Sequence, residues 1–213
     1  MKSLFIDSSG KKLSVAVIEC GKLILSSNID SYSKHSNFLM GEIINVINKL
    51  KMKISDIDNF IVVNGPGSFT GIRVGVTIAK TLAWSLNKKI YQISSLRAMS
   101  LVNDVKDVYI SVLFDKKEES YVGIYTDGVF EAYANANELV LDYNNKNILV
   151  VSYDDNEFLD IIINNLSSNN NVEKQIIKEL NYEKVVDYAL FTNPINPHLV
   201  SPIYLKKIDV EKK

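Results

Sequence analysis

Val63-Asn64-Gly65-Pro66-Gly67-Ser68-Phe69-Thr70-Gly71-Ile72-Arg73-Val74-Gly75 joins two segments of different period. Residues 60–63 form an apolar run of the kind that a buried strand carries, and residues 72–86 have helical spacing. Two glycines around a proline make a tight turn, because glycine tolerates positive φ and proline fixes its own. Ser68 and Thr70 stand where a side-chain oxygen caps the first N–H groups of a helix. Glycine recurs at 71 and 75 and alanine at 79 and 83, a line of small side chains that lets another backbone or helix come close. A buried strand that turns at once into a close-packed helix places the chain among α/β folds.

Three chemical motifs share parts of this run, and each fails by spacing. A phosphate-cradling P-loop ends in Gly-Lys-Ser/Thr, which is missing here. A dinucleotide fingerprint needs its third glycine three residues after the second, whereas Gly67 and Gly71 are four apart. A nucleophile elbow needs glycines two residues either side of its serine, but Pro66 and Thr70 flank Ser68.

The rest of the chain supplies the order. Residues 3–7, 13–19 and 23–29 read as strands joined by the short turns Ser8-Ser9-Gly10-Lys11-Lys12 and Cys20-Gly21-Lys22. Residues 37–50 then read as a helix, followed by the strand at 60–63, the helix at 72–86, a strand at 89–93 and a short helix at 96–102. Short turns force the first three strands antiparallel, and helical crossovers make the later ones parallel. That is the order of a ribonuclease-H-like lobe. Strands follow at 108–114, 120–125, 129–132 and 148–152, with helices at 158–166 and 182–190. The Asn-rich stretches 144–147 and 164–171 read as turns. The expected division is a first lobe over 1–103, a second over 104–192 and a tail, 193–213, returning to the first. No internal repeat is visible by eye, although a diverged duplicate lobe is compatible with the pattern.

Composition narrows the function classes. With 24 basic against 25 acidic residues, no basic field exists to hold nucleic acid electrostatically. One cysteine, Cys20, excludes an internal disulfide and fits a reducing compartment. Asp7 interrupts the first apolar stretch, so no signal peptide is expected, and no run approaches the ~18 apolar residues of a membrane span. The expected location is the cytoplasm, away from membranes.

The helices carry more apolar surface than a single sheet can cover. On a helical wheel Phe38, Leu39, Ile43, Val46 and Leu50 form one face for a sheet. Met40, Ile44 and Ile47 widen that arc to about 240°, against the ~100° of a surface helix. Val74 and Ile78 widen the second helix in the same way, beside Ile72, Val76, Ala79, Leu82, Ala83 and Leu86. Trp84 stands on a mostly polar face as a rim contact. The expected partner interface is therefore Phe38, Met40, Ile44, Ile47, Val74, Ile78 and Trp84.

Reactive chemistry is sparse. His35 and His198 sit in no ligand pair, and with one cysteine no zinc constellation can be assembled from soft ligands. Asp7, Ser8 and Ser9 are the one place where a phosphate, nucleotide or metal would be held, the alternative being an Asx-type turn. Asp115, Glu118 and Glu119 are either acid–base groups or a charged turn.

The run from Gly65 to Arg73, with Ala79-Lys80-Thr81-Leu82-Ala83, resembles the signature of the bacterial TsaB family, subunits of the machinery that makes threonylcarbamoyladenosine in tRNA. Ile6-Asp7-Ser8-Ser9, Lys34-His35-Ser36, Ser94-Ser95-Leu96 and Pro202-Ile203-Tyr204-Leu205-Lys206 are similar to further family segments. Asp115 with Glu119-Ser120-Tyr121 resembles an Asp…Glu-x-Tyr pattern whose basic-glycine part is changed here. The resemblance implies an actin/Hsp70-like ATPase fold of two lobes, each a mixed sheet with flanking helices. It further implies a non-catalytic partner of the catalytic paralogue TsaD, joined by the ATPase TsaE, with tRNA reached only through the complex. The two helices after the third and fourth strands would bundle with the partner, or with a second copy to give a homodimer when the chain is alone. The paralogue's two metal-binding histidines would fall at Ser95 and Met99, which are poor ligands for iron or zinc. No tightly bound cofactor is expected, and ATP or ADP would sit only at a subunit junction. The competing readings are a phosphotransferase or ATPase built on Asp7 and Ser9, and a metallopeptidase.

Overall fold

The computed structural model describes residues 1–30, 35–102 and 105–206; Lys34, and the side chains of His35 and Ser36, fall outside that description. The chain divides into two compact units. The first comprises Met1–Ser95 with Tyr182–Ile203, and the second comprises Leu96–Asn181 with residues 204–206.

The first unit is built on a five-stranded sheet of β1 (Lys2–Asp7), β2 (Lys12–Glu19), β3 (Lys22–Asp30), β4 (Asn59–Val63) and β5 (Lys89–Ile93), in the order β3-β2-β1-β4-β5. β1, β2 and β3 run antiparallel, and β4 and β5 lie parallel to β1. Cys20 and Gly21 both take left-handed φ in the two-residue turn between β2 and β3, which matches the twist of paired strands. Two helices, α1 (His35–Lys49) and α2 (Phe69–Ser85), pack on one another; α1 lies against β2 and α2 against β4. Between them and the sheet lies a core of Leu4, Ile6, Val15, Leu39, Ile43, Phe60, Val62, Ile72 and Val76, all at most 3% exposed.

The second unit repeats this topology. Its strands are β6 (Val108–Phe114), β7 (Glu119–Tyr125), β8 (Val129–Asn135), β9 (Asn147–Ser152) and β10 (Asn171–Ile176), ordered β8-β7-β6-β9-β10. Here too the first three pair antiparallel and the last two lie parallel to the first. A diverged duplication is thus visible in topology where it is invisible in sequence. One difference is that residues 136–146 form no helix between β8 and β9. Helix α4 (Glu157–Leu166) covers the sheet through Phe158, Leu159 and Ile162 and is capped by Asn156, whose side chain accepts from Leu159 N.

Strand β10 is absent from the sequence reading, which takes residues 164–171 as a turn. It is an edge strand with Glu173 and Lys174 exposed, so it lacks the apolar alternation that marks a half-buried strand. The turn itself is shorter, and Asn170 stitches it by donating to Tyr143 O at 2.7 Å and Leu166 O at 3.0 Å.

The helices after the two fifth strands change sides. Helix α3 (Ser95–Ser100) follows β5 and falls almost wholly in the second unit, while α5 (Tyr182–Phe191) follows β10 and belongs to the first. The sequence reading, with boundaries at 103 and 192, puts α5 in the second lobe. In the structure α5 lies on β1, β2, β3 and β5, with the Tyr182 ring tilted on Phe5 at 5.5 Å. Tyr182 OH donates to Asn28 Oδ1 at 2.7 Å, the same oxygen that accepts from Ser14 Oγ at 2.6 Å. Beyond α5, Ile195 bridges Ile90 on the edge of β5, and Ile203 N donates to Asn64 O at 2.7 Å.

Candidate docking face and signature turn

The signature turn is an internal joint. Ser68 is the N-cap of α2; its Oγ accepts from Gly71 N at 3.2 Å, while its own N–H donates to Ser9 O at 2.7 Å. Helix α2 begins at Phe69, so Thr70 lies inside its first turn and is exposed rather than capping. A Cβ on Gly67 would lie 2.3 Å from Ser9 O, and one on Gly71 would lie 2.0 Å from Ser8 O. Both are far inside contact distance of a backbone, so the line of small residues exists to seat α2 on the β1–β2 turn. Lys80, from the second half of the signature, donates to Val200 O at 3.0 Å and ties the tail to the same helix. Arg73 stacks over the Phe69 ring at 3.7 Å.

Asp7, Ser8 and Ser9 are brought together, and each is engaged in this joint. Asp7 Oδ1 accepts from Ser9 N at 2.8 Å and from Ser9 Oγ at 2.7 Å, which is Asx-turn geometry. Ser8 Oγ donates to Gly71 O at 2.8 Å. All three residues are buried.

The two helices meet the sheet as the wheel predicts only in part. Leu39, Ile43, Val46, Ile72, Val76, Ala79 and Ala83 point inward. Phe38 does not: it is 48% exposed, beside Ile44 at 48% and Met40 at 38%. Trp84 is 63% exposed and meets the His198 ring edge-on at 6.1 Å. Ile47 corrects the sequence reading, because at 4% exposure it belongs to the core of this chain and offers nothing to a partner. At 100° per residue Ile47 stands about 40° from Ile43, inside the buried stripe of α1. Val74 and Ile78 are half-buried against that core. Phe69, 45% exposed, is missed by the sequence reading because it sits inside the glycine-rich run; its place one residue after a Ser cap is the signal for a first-turn helix position.

Ser95 and Met99 are buried. Ser95 Oγ donates to Pro66 O at 2.6 Å, and its N–H donates to Gly65 O. Among the described residues no three of His, Cys, Asp or Glu converge as a metal site would require.

In the second unit Asp115 joins a cluster that crosses long sequence distances. Its Oδ2 accepts from Lys206 Nζ at 2.6 Å and from Tyr133 OH at 2.7 Å, and the Tyr121 and Tyr133 rings meet edge-on at 5.0 Å. Burial pushes the Asp115 carboxyl up, but the hydrogen bonds from Lys206 and Tyr133, with the nearby positive charges, hold it below its usual value. Burial first, and then the bond to Asp115, push Tyr133 up to about 12. Lys206 is raised chiefly by its bond to Asp115. The cluster holds an ion pair between Asp115 and Lys206.

Two lobes of one topology, each a mixed sheet with flanking helices, define an actin/Hsp70-like ATPase fold. A Pseudomonas aeruginosa protein described as similar to the peptidase YeaZ superposes with a TM-score of 0.78 at 17% identity, covering 96% of this chain and 99% of that one. A family model described as TsaD, tRNA N6-adenosine threonylcarbamoyltransferase, matches residues 24–147, and the chain belongs to that family. The Bacillus subtilis tRNA threonylcarbamoyladenosine biosynthesis protein TsaB is 36% identical over 126 residues, 59% of this chain and 55% of that protein. The Brachyspira hyodysenteriae tRNA N6-adenosine threonylcarbamoyltransferase is 33% identical over 133 residues, 53% of this chain and 39% of that enzyme. The TsaB resemblance of the signature is therefore matched by sequence likeness well beyond it. The chain spans about half the length, or less, of these curated relatives. No helix among the described residues is long and apolar enough to cross a membrane.

Proposed function

We propose that this chain is a non-catalytic scaffold in the formation of threonylcarbamoyladenosine in tRNA, docking through the outer face of α1 and α2 onto a TsaD-like catalytic paralogue. In this reading it activates that paralogue, helps to recruit a TsaE-like ATPase, meets tRNA only within the complex, and pairs with a second copy when alone. The observation that carries the reading is the set of exposed apolar side chains on two adjacent helices: Phe38, Met40 and Ile44 on α1, Phe69 and Trp84 on α2. Covering them would contribute several kcal/mol at ~25 cal/mol per Å², before the cost of association. Two further observations support it. Asp7 Oδ1 accepts from Ser9 within the turn, and Ser8 Oγ donates to Gly71 O of α2, which supports a structural role for this turn and a nucleotide, if one binds, at a subunit junction. Ser95 and Met99 are buried and poor in metal-ligating chemistry.

The test is co-purification of the chain with its paralogous transferase, comparing wild type with Phe38→Glu/Ile44→Glu. Both residues are half-exposed, so the double variant should fold with an unchanged melting temperature and lose the complex. A folded double variant that still co-purifies at wild-type yield would remove this face from the interface. Turnover of ATP by the isolated chain, lost on Asp7→Asn, would replace the scaffold with an enzyme.

A further inference from the structure

We propose that Gly41 is the point where a helix of the catalytic paralogue crosses α1, an inference that rests on the docking reading above and adds the contact geometry to it. Gly41 lies near the middle of α1, is exposed, and would carry a Cβ with nothing within 4 Å. A helix-interior glycine weakens a helix relative to alanine, and it is retained where a backbone must come close. Among the described residues nothing lies close to Gly41, so its backbone is open to an approaching partner.

The flanking residues define what approaches. At 100° per residue Phe38 and Ile44 stand about 60° to either side of Gly41, with Asn45 and Asn48 on the same strip. Phe38 and Ile44 are each 48% exposed. The outer side of α1 is thus a notch with two apolar walls and bare backbone as its floor. Within about 60° of Gly41 the exposed positions, Phe38, Gly41, Ile44, Asn45 and Asn48, carry no charge; the exposed Lys49 stands about 80° away, in the last turn. A charged surface laid on this strip would leave its own charges desolvated and unpaired. An uncharged helix fits, since helices pack closest where the residue at the crossing is small. The paralogue has such an element to offer: the family model that matches residues 24–147 is that of the transferase and spans both α1 and α2, so transferases of the family carry counterparts of this helix pair.

The proposal predicts opposite effects of one substitution on stability and on binding. Gly41→Ala and Gly41→Leu should each raise the melting temperature of the isolated chain, because the space is open and helix propensity improves. Calorimetric titration with the paralogous transferase should show affinity reduced at least tenfold by Gly41→Leu and about threefold by Gly41→Ala. Unchanged affinity for Gly41→Leu, alongside loss of binding in Ile44→Glu, would overturn the crossing point and leave the docking face standing. Unchanged affinity in both would overturn the two together. A melting temperature lowered by both Gly41 variants would show that the space is not open and would equally overturn the proposal.

Discussion

Gly71 has no side chain because the backbone oxygen of Ser8 occupies the place where one would be, 2.0 Å from its Cβ position. Gly67 meets Ser9 O in the same way at 2.3 Å. Backbone atoms cannot step aside as a flexible side chain would, so Gly71→Ala must lift α2 away from the β1–β2 turn. The expected loss is about 3 kcal/mol of stability, read as a lower urea midpoint. Such residues are legible in sequence as a line of small side chains, but not what they face: Ser8 and Ser9 lie some sixty positions away and show up only as a small polar cluster after a strand. The same limit hides the Asp115–Lys206 pair. Each residue belongs to a recognisable segment, yet nothing in their spacing couples position 115 to position 206.

Helix α1 illustrates what periodicity can and cannot decide. Its inner residues, Leu39, Ile43 and Val46, follow directly from the wheel. Phe38 and Ile47 exchange roles, because at 100° per residue Ile47 stands about 40° from Ile43 while Phe38 stands about 140° from it, so the sequence reading draws the inner face one position off. Ile47 is accordingly covered with Ile43, and Phe38 is left open. Alanine substitution separates these environments within one helix. Ile47→Ala should cost about 2–4 kcal/mol through the cavity it leaves, whereas Ile44→Ala should stay within about 0.5 kcal/mol in the isolated chain. Chemical denaturation of the two variants is the measurement. Strand β10 marks the complementary limit, an exposed edge whose polar residues carry no pattern to read.

Across the molecule, strand order and the twofold repetition of one topology decide the fold, and the first lobe was readable almost throughout because hairpins and crossovers leave it one arrangement. The sequence gives no sign that α5 returns to the first unit, since a helix at the end of a lobe reads the same whichever sheet receives it. A chain cut after Asn181 should therefore lose slow amide exchange in β1 and β2, where Tyr182 and its neighbours cover Phe5, while β6 and β9 keep theirs; hydrogen exchange followed by mass spectrometry would measure it. The swap also bears on biosynthesis. A ribosome that has released Met1–Ser95 has delivered a sheet with one side bare, and residues 96–181 must be translated before its missing cover emerges. At ~5–20 residues per second that interval is about 4–17 s, a window in which the nascent N-terminal half presents greasy strands to chaperones or to other nascent chains.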